Sequence, residues 1–135
     1  MGQGVGRDNK RSVFRIQVPQ LVFPNGATGA TLTQTEEVNI DGAVKQIMIG
    51  LNDNTGNATI TSVSLIDKAT GSVLFVSDGV AENTDAAPIV QQFMTVSGTD
   101  LPLHILSNKT ITVSALISGD PGASTGLCDI TLMGD

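Results

Sequence analysis

Apolar and polar residues alternate along much of this chain, and the alternation has period two. The cleanest run is Lys109–Ser118. There Ile111, Val113, Ala115 and Ile117 fall on one side, and Thr110, Thr112, Ser114 and Leu116 on the other. Period two is the repeat of a β-strand with one buried face. Ser12–Val18 repeats it, with Phe14, Ile16 and Val18 opposed to Arg15 and Gln17, and so does Leu127–Met133, with Cys128, Ile130 and Leu132 on one face. Between them, Ala43–Val76 predicts three strands in succession: Ala43–Leu51, Ala58–Ile66 and Val73–Val76. The turn clusters Asn52–Asn57 and Asp67–Ser72 separate them. Runs rich in Val, Ile and Thr that are broken by Asn, Asp and Gly are the mark of antiparallel strands on short loops.

The remaining segments extend this reading. Leu21–Phe23 sits between Pro19 and Pro24, so it is expected at an edge, not in the centre of a sheet. Ala30–Gln34 is expected to pair weakly. Glu36–Ile40 and Ala43–Leu51 flank Asp41-Gly42, which predicts a hairpin, because Asp-Gly tolerates the positive φ such turns need. Asp78-Gly79 predicts another turn. Val80–Ala87 is the one piece with helical character, a single turn stopped by Pro88. Ile89–Val96 and Leu101–Leu106 are further strands, and Gly119–Gly126 is a loop. About eight strands without an amphipathic helix predict an all-β protein, an antiparallel β-sandwich or jelly roll over residues 13–135. An extended N-terminal arm over residues 1–12 precedes it.

Charge sharpens the division between arm and body. Only 15% of residues are charged and the net charge is -6. In the first fifteen residues, Arg7, Lys10, Arg11 and Arg15 against the single carboxylate Asp8 leave +3. The rest holds three cations against twelve carboxylates, which leaves −9. A basic arm on an acidic body is suited to lie on an acidic neighbour, including a copy of the same body, so these four cations are the candidate partner-binding residues. An acidic body is poorly suited to nucleic acid. No run reaches the ~18 apolar residues of a membrane-spanning helix. The N-terminus lacks the apolar stretch of a signal peptide.

Candidate chemistry is sparse. One cysteine, Cys128, excludes an intrachain disulfide, and one histidine, His104, is the only partner it has for a nucleophilic dyad. Nothing around either residue resembles a nucleophile elbow, and burial as ordinary strand residues explains both. A zinc site needs about four ligands of these types. Asn52-Asp53-Asn54-Thr55-Gly56 resembles a calcium loop in outline, but its Gly comes one position early and no closing Glu follows. Turn chemistry accounts for the cluster equally. Glu36 and Glu37 are adjacent, so on a strand they face opposite ways and do not form an acid–base pair. Sugar and single-stranded nucleic acid sites favour stacking on aromatic rings, and the chain has four Phe but no Trp or Tyr. No enzymatic activity and no cofactor are expected.

The strand–turn units GAVKQIMIGLNDNTGNATITSVSLIDKATGSVLFVSDGVAEN and the closing KTITVSALISGDPGASTGLCDITLMGD resemble those of small virion proteins of tailed bacteriophages, which join an extended arm to one β-sandwich. The resemblance implies a capsid decoration or cement role, with the major capsid protein or other virion proteins as partners. It also implies homo-oligomers, a trimer above all, and a place in the virion after assembly in the host cytoplasm. A tail or head-fibre protein and a carbohydrate-binding sandwich are the alternatives.

Overall fold

The computed structural model describes residues 14–82, 92–95 and 103–134, and for 92–95 and 103–107 the backbone alone. They form eight strands: β1 (Phe14–Gln17), β2 (Leu21–Phe23), β3 (Thr33–Leu51), β4 (Ile60–Asp67), β5 (Val73–Val76), β6 (Gln92–Thr95), β7 (Leu103–Ile117) and β8 (Gly126–Gly134). Every pairing is antiparallel. Two short 3-10 turns, Gly29–Leu32 and Gly122–Ser124, are the only helical pieces among the described residues.

β3 organises the molecule. Its first half, from Thr33 to Ile40, pairs with β7; its second half, from Val44 to Leu51, pairs with β8, and with β6 along its other edge. A straight strand of 19 residues would span roughly 60 Å. Yet both ends of β3 lie at one end of the molecule. Thr33 is opposite Leu116, next to Ile117, and Leu51 is opposite Cys128, close to Gly126. A methyl group placed on Gly126 would lie 3.0 Å from the Ile117 side chain. The strand therefore turns back on itself and serves two layers. One layer is β5-β4-β7 with the first half of β3; the other is β1 and β2, then β8, then the second half of β3, then β6. Strands that change sheets at bulges are a known way to make a sandwich corner.

Two irregularities build this corner. Ile40 is opposite Lys109 but Gly42 is opposite Ile105, so β7 carries extra residues there, with Asn108 at φ 55 and Gly42 at φ 135. Val44 is opposite Gly134 but Gln46 is opposite Met133, which makes Lys45 the extra residue of a β-bulge. One extra residue swaps the faces of everything after it. Before the bulge the even positions turn inward, ending in Ile40 and Val44; after it the odd positions Ile47, Ile49 and Leu51 do so, and all five are buried. Asp41-Gly42 is thus not the hairpin turn its sequence predicts. Its backbone tolerance serves a corner inside one continuous strand, whose halves pair with β7 and β8 instead of each other.

Other expectations meet mixed outcomes. The hairpin at Asp67–Ser72 forms between β4 and β5, closed by Asp67 N–H to Ser72 O at 2.9 Å and Gly71 N–H to Asp67 O at 2.7 Å. Among the described residues β2 pairs with β8 alone, at the edge the prolines require. Ala30–Gln34 is not a weak strand but part 3-10 turn and part β3. Leu101–Leu106 and Lys109–Ser118 are not separate strands; β7 runs without a break from Leu103 to Ile117, with a kink at Asn108 between the two segments. Val80 is not helical: it bridges to Ile60, and residues 83–87 lie outside the described residues, as does the arm over residues 1–12. The core between the layers takes Ile111, Val113, Ala115 and Ile117 from β7, as the alternation predicts, and Cys128, Ile130 and Leu132 from β8.

Candidate functional site

The outer face of the β5-β4-β7-β3 layer follows from the same alternation. With Ile111, Val113, Ala115 and Ile117 inside, β7 must present Thr110, Thr112, Ser114 and Leu116 outward. Cross-strand register sets their neighbours. Thr35, Ser114, Ser64 and Val76 form one row; Glu37, Thr112, Ile66 and Val73 form the next; Thr33, Leu116 and Ser62 form a third. The surface is a sheet face lined with hydroxyls, with an apolar margin where Val73 and Val76 are 58% and 55% exposed. Glu37 is its one charged position in these rows, and it is neutralised by Lys68 at 2.7 Å.

At the corner end, the turn after β4 meets the kink in β7. An open cavity of about 510 Å³ is lined by Asp67, Lys68, Ala69, Asn108, Lys109 and Thr110. Lys109 Nζ donates to Asp67 Oδ2 at 3.0 Å, and Ala69 N–H donates to Asp67 Oδ1 at 3.0 Å. The lysine hydrogen bond, helped by the Ala69 and Thr70 backbone N–H groups, holds the carboxyl below its ordinary value of 3.8. Lys68 N–H donates to Thr110 O, and Thr110 Oγ1 donates to Asn39 Oδ1 at 2.8 Å. Both lysines of the cavity are committed to carboxylates, so the arrangement ties strands together.

The opposite end is a knot of loops. Asn54 is 2% exposed. Its amide nitrogen donates to Asn52 O and Ala58 O, and its amide oxygen accepts from Ala58 N–H at 2.8 Å. Its own N–H donates to Glu82 at 2.8 Å. Asn52 Nδ2 donates to Thr125 O while its Oδ1 accepts from Leu127 N–H at 2.7 Å. Asp120 accepts from Gly122 N–H at 2.7 Å and Gly26 N–H at 2.8 Å, and these two bonds lower its pKa. The cluster that outlines a calcium loop thus spends both asparagine oxygens on backbone N–H groups. A methyl group on Gly56 would clash with Asp120 O, so two loops touch through backbone there.

The other singled-out residues that are described lie apart from one another. Arg15 is exposed on β1 opposite Met133; Arg7, Lys10 and Arg11 lie outside the described residues. Cys128 is buried between layers, and burial, with Asp129 beside it, pushes its thiol up to about 12. His104 lies opposite Ala43, and Cys128 opposite Leu51. The two are at opposite ends of the second half of β3 and form no dyad. Among the described residues no three His, Cys, Asp or Glu side chains gather as a metal site. No described helix is long and apolar enough to cross a membrane.

No family model matches the chain, and no curated protein matches it. Among solved structures it is similar to an isomalto-dextranase of Arthrobacter globiformis T6 complexed with panose. The match has 11% identity and a TM-score of 0.50. It covers 89% of this chain but 23% of that one. At that identity the likeness concerns fold, and it agrees with the two-layer all-β architecture. The hydroxyl face escapes sequence reasoning because it arises only when β3, β7 and β4 are placed side by side.

Proposed function

We propose that this chain is a structural protein of a phage virion, laid on the capsid shell in contact with the major capsid protein and with its own copies. The observation that carries the reading is the hydroxyl-lined outer face of β3, β7 and β4. Such a face suits contact with another protein. Hydroxyls exchange water for a neighbour's polar groups at little cost, whereas unpaired charges buried in a contact cost much more. Four strands and the length from Thr33 to Asn39 give a patch of roughly 14 Å by 20 Å, about 300 Å². A stable interface takes ~800 Å² from each partner. One copy therefore holds weakly by this face, and repetition over a lattice, with the basic arm as a second contact, supplies the rest.

The test is rebinding to particles of the encoding phage. Ser64→Arg/Ser114→Arg is expected to bind at least tenfold more weakly than wild type with an unchanged unfolding midpoint, and deletion of residues 1–12 is expected to weaken binding further. Unchanged binding by both would overturn the reading. Electron microscopy of labelled particles separates the shell from a tail or head fibre. A carbohydrate-binding module is the second reading, prompted by the fold likeness to a carbohydrate-active enzyme. Hits on a glycan array would favour it; none are expected from a chain without Trp or Tyr.

A further inference from the structure

The sandwich protects its described edges unequally. The first half of β3 turns Gln34 and Glu36 inward, opposite Ala115 and Val113, and inward polar or charged residues discourage a further strand. The edge made by β1 and β2 carries Arg15, Pro19 and Pro24, which are also edge guards. β5 carries neither charge nor proline: its four residues are Val73, Leu74, Phe75 and Val76. Among the described residues it pairs with β4 alone.

Its geometry is self-complementary. In a regular strand, residues three apart face opposite ways. Here Ser64 is opposite Val76 and Leu65 opposite Phe75, but Ile66 is opposite Val73, so Leu74 is the extra residue of a bulge. The bulge brings Val73 and Val76 to the same outer face, while Leu74 and Phe75 pack against the core. We propose that β5 pairs antiparallel with β5 of a second copy, about a twofold axis between Leu74 and Phe75. In that register Val73 lies opposite the second copy's Val76, and Val76 opposite its Val73. The two most exposed large apolar side chains described cover each other, with Ile66 flanking each pair. Two four-stranded layers become one continuous eight-stranded sheet. A twofold contact of this kind is isologous and closes on itself; it pairs copies and does not make a trimer. It is a property of the chain in solution and does not rest on the virion reading, so either can fail alone.

Four residues make a small contact, below the usual range of stable interfaces, so the dimer forms at high protein concentration. Sedimentation velocity over a concentration series of the full chain is expected to show a monomer–dimer equilibrium. Val76→Lys is expected to weaken it roughly tenfold or more, with the circular dichroism spectrum and unfolding midpoint unchanged because the site is exposed. The register has its own test. Directly opposite residues have Cα atoms ~4.5–5.5 Å apart, within disulfide reach. Val73→Cys/Val76→Cys is therefore expected to oxidise to a covalent dimer. Val73→Cys alone is expected not to, since position 73 faces position 76; Cys128 is buried and does not interfere. A monomer at every concentration with no cross-linking of the double variant would overturn the proposal. So would an oligomer indifferent to Val76→Lys.

Discussion

Single residues do two kinds of work here: they satisfy buried backbone, and they keep charge where it is paired. Asn54 is the clearest of the first kind. Its amide occupies three buried or half-buried hydrogen bonds that hold the loop between β3 and β4. Asn54→Ala leaves those groups without partners, at roughly 2–4 kcal/mol, and urea unfolding is expected to show a loss of that size. Asp67 is of the second kind. Its folded pKa is depressed by Lys109. The stabilisation is therefore fully present above the ordinary value of 3.8 and is lost as pH falls through the lower folded value. Asp67→Asn is expected to unfold at lower urea than wild type at neutral pH, with the gap closing in strong acid. A gap of constant size would refute the ion pair's role. Cys128, pushed up to about 12 by burial, is expected to resist thiol reagents at mildly alkaline pH until the protein is unfolded.

Among the elements, β3 decides the fold, and Lys45 decides β3. Deleting Lys45 removes the bulge and turns Ile47, Ile49 and Leu51 outward while keeping composition nearly constant. That variant is expected to be insoluble or to lack a β-type circular dichroism spectrum. Insertion of one glycine after Ala69, in the exposed β4–β5 turn, is expected to leave both intact. These outcomes bear on what was legible in the sequence. Period two revealed β1, the second half of β7, β8 and the inward residues of each, because burial on one face writes itself directly into the pattern. The β4–β5 hairpin was legible because its partners are local. The corner was not. Asp41-Gly42 permits positive φ, and a two-residue turn and a strand corner ask the same of it. What separates them is pairing with β7 and β8, more than sixty residues away. The hydroxyl face was hidden for the same reason: its residues are visible one strand at a time, and their adjacency is a product of topology.

On the scale of the molecule, a turned-back strand gives two layers, a closed core, edges that carry charge or proline, and a β5 edge that carries neither. The charge-poor face and the apolar β5 edge are the surfaces on which the two proposals rest. The face and the edge are two separate surfaces, and the proposed function adds the basic N-terminal segment as a third contact for a protein that occupies area between neighbours. The most direct test of the proposed virion role is hydrogen exchange measured by mass spectrometry on the protein free and bound to particles of the phage proposed to carry it. Slowed exchange is expected in peptides covering residues 33–39, 62–66 and 110–116, with the loops at residues 52–58 and 119–126 unchanged. Protection confined to those loops, or none anywhere in the three strands, would contradict it.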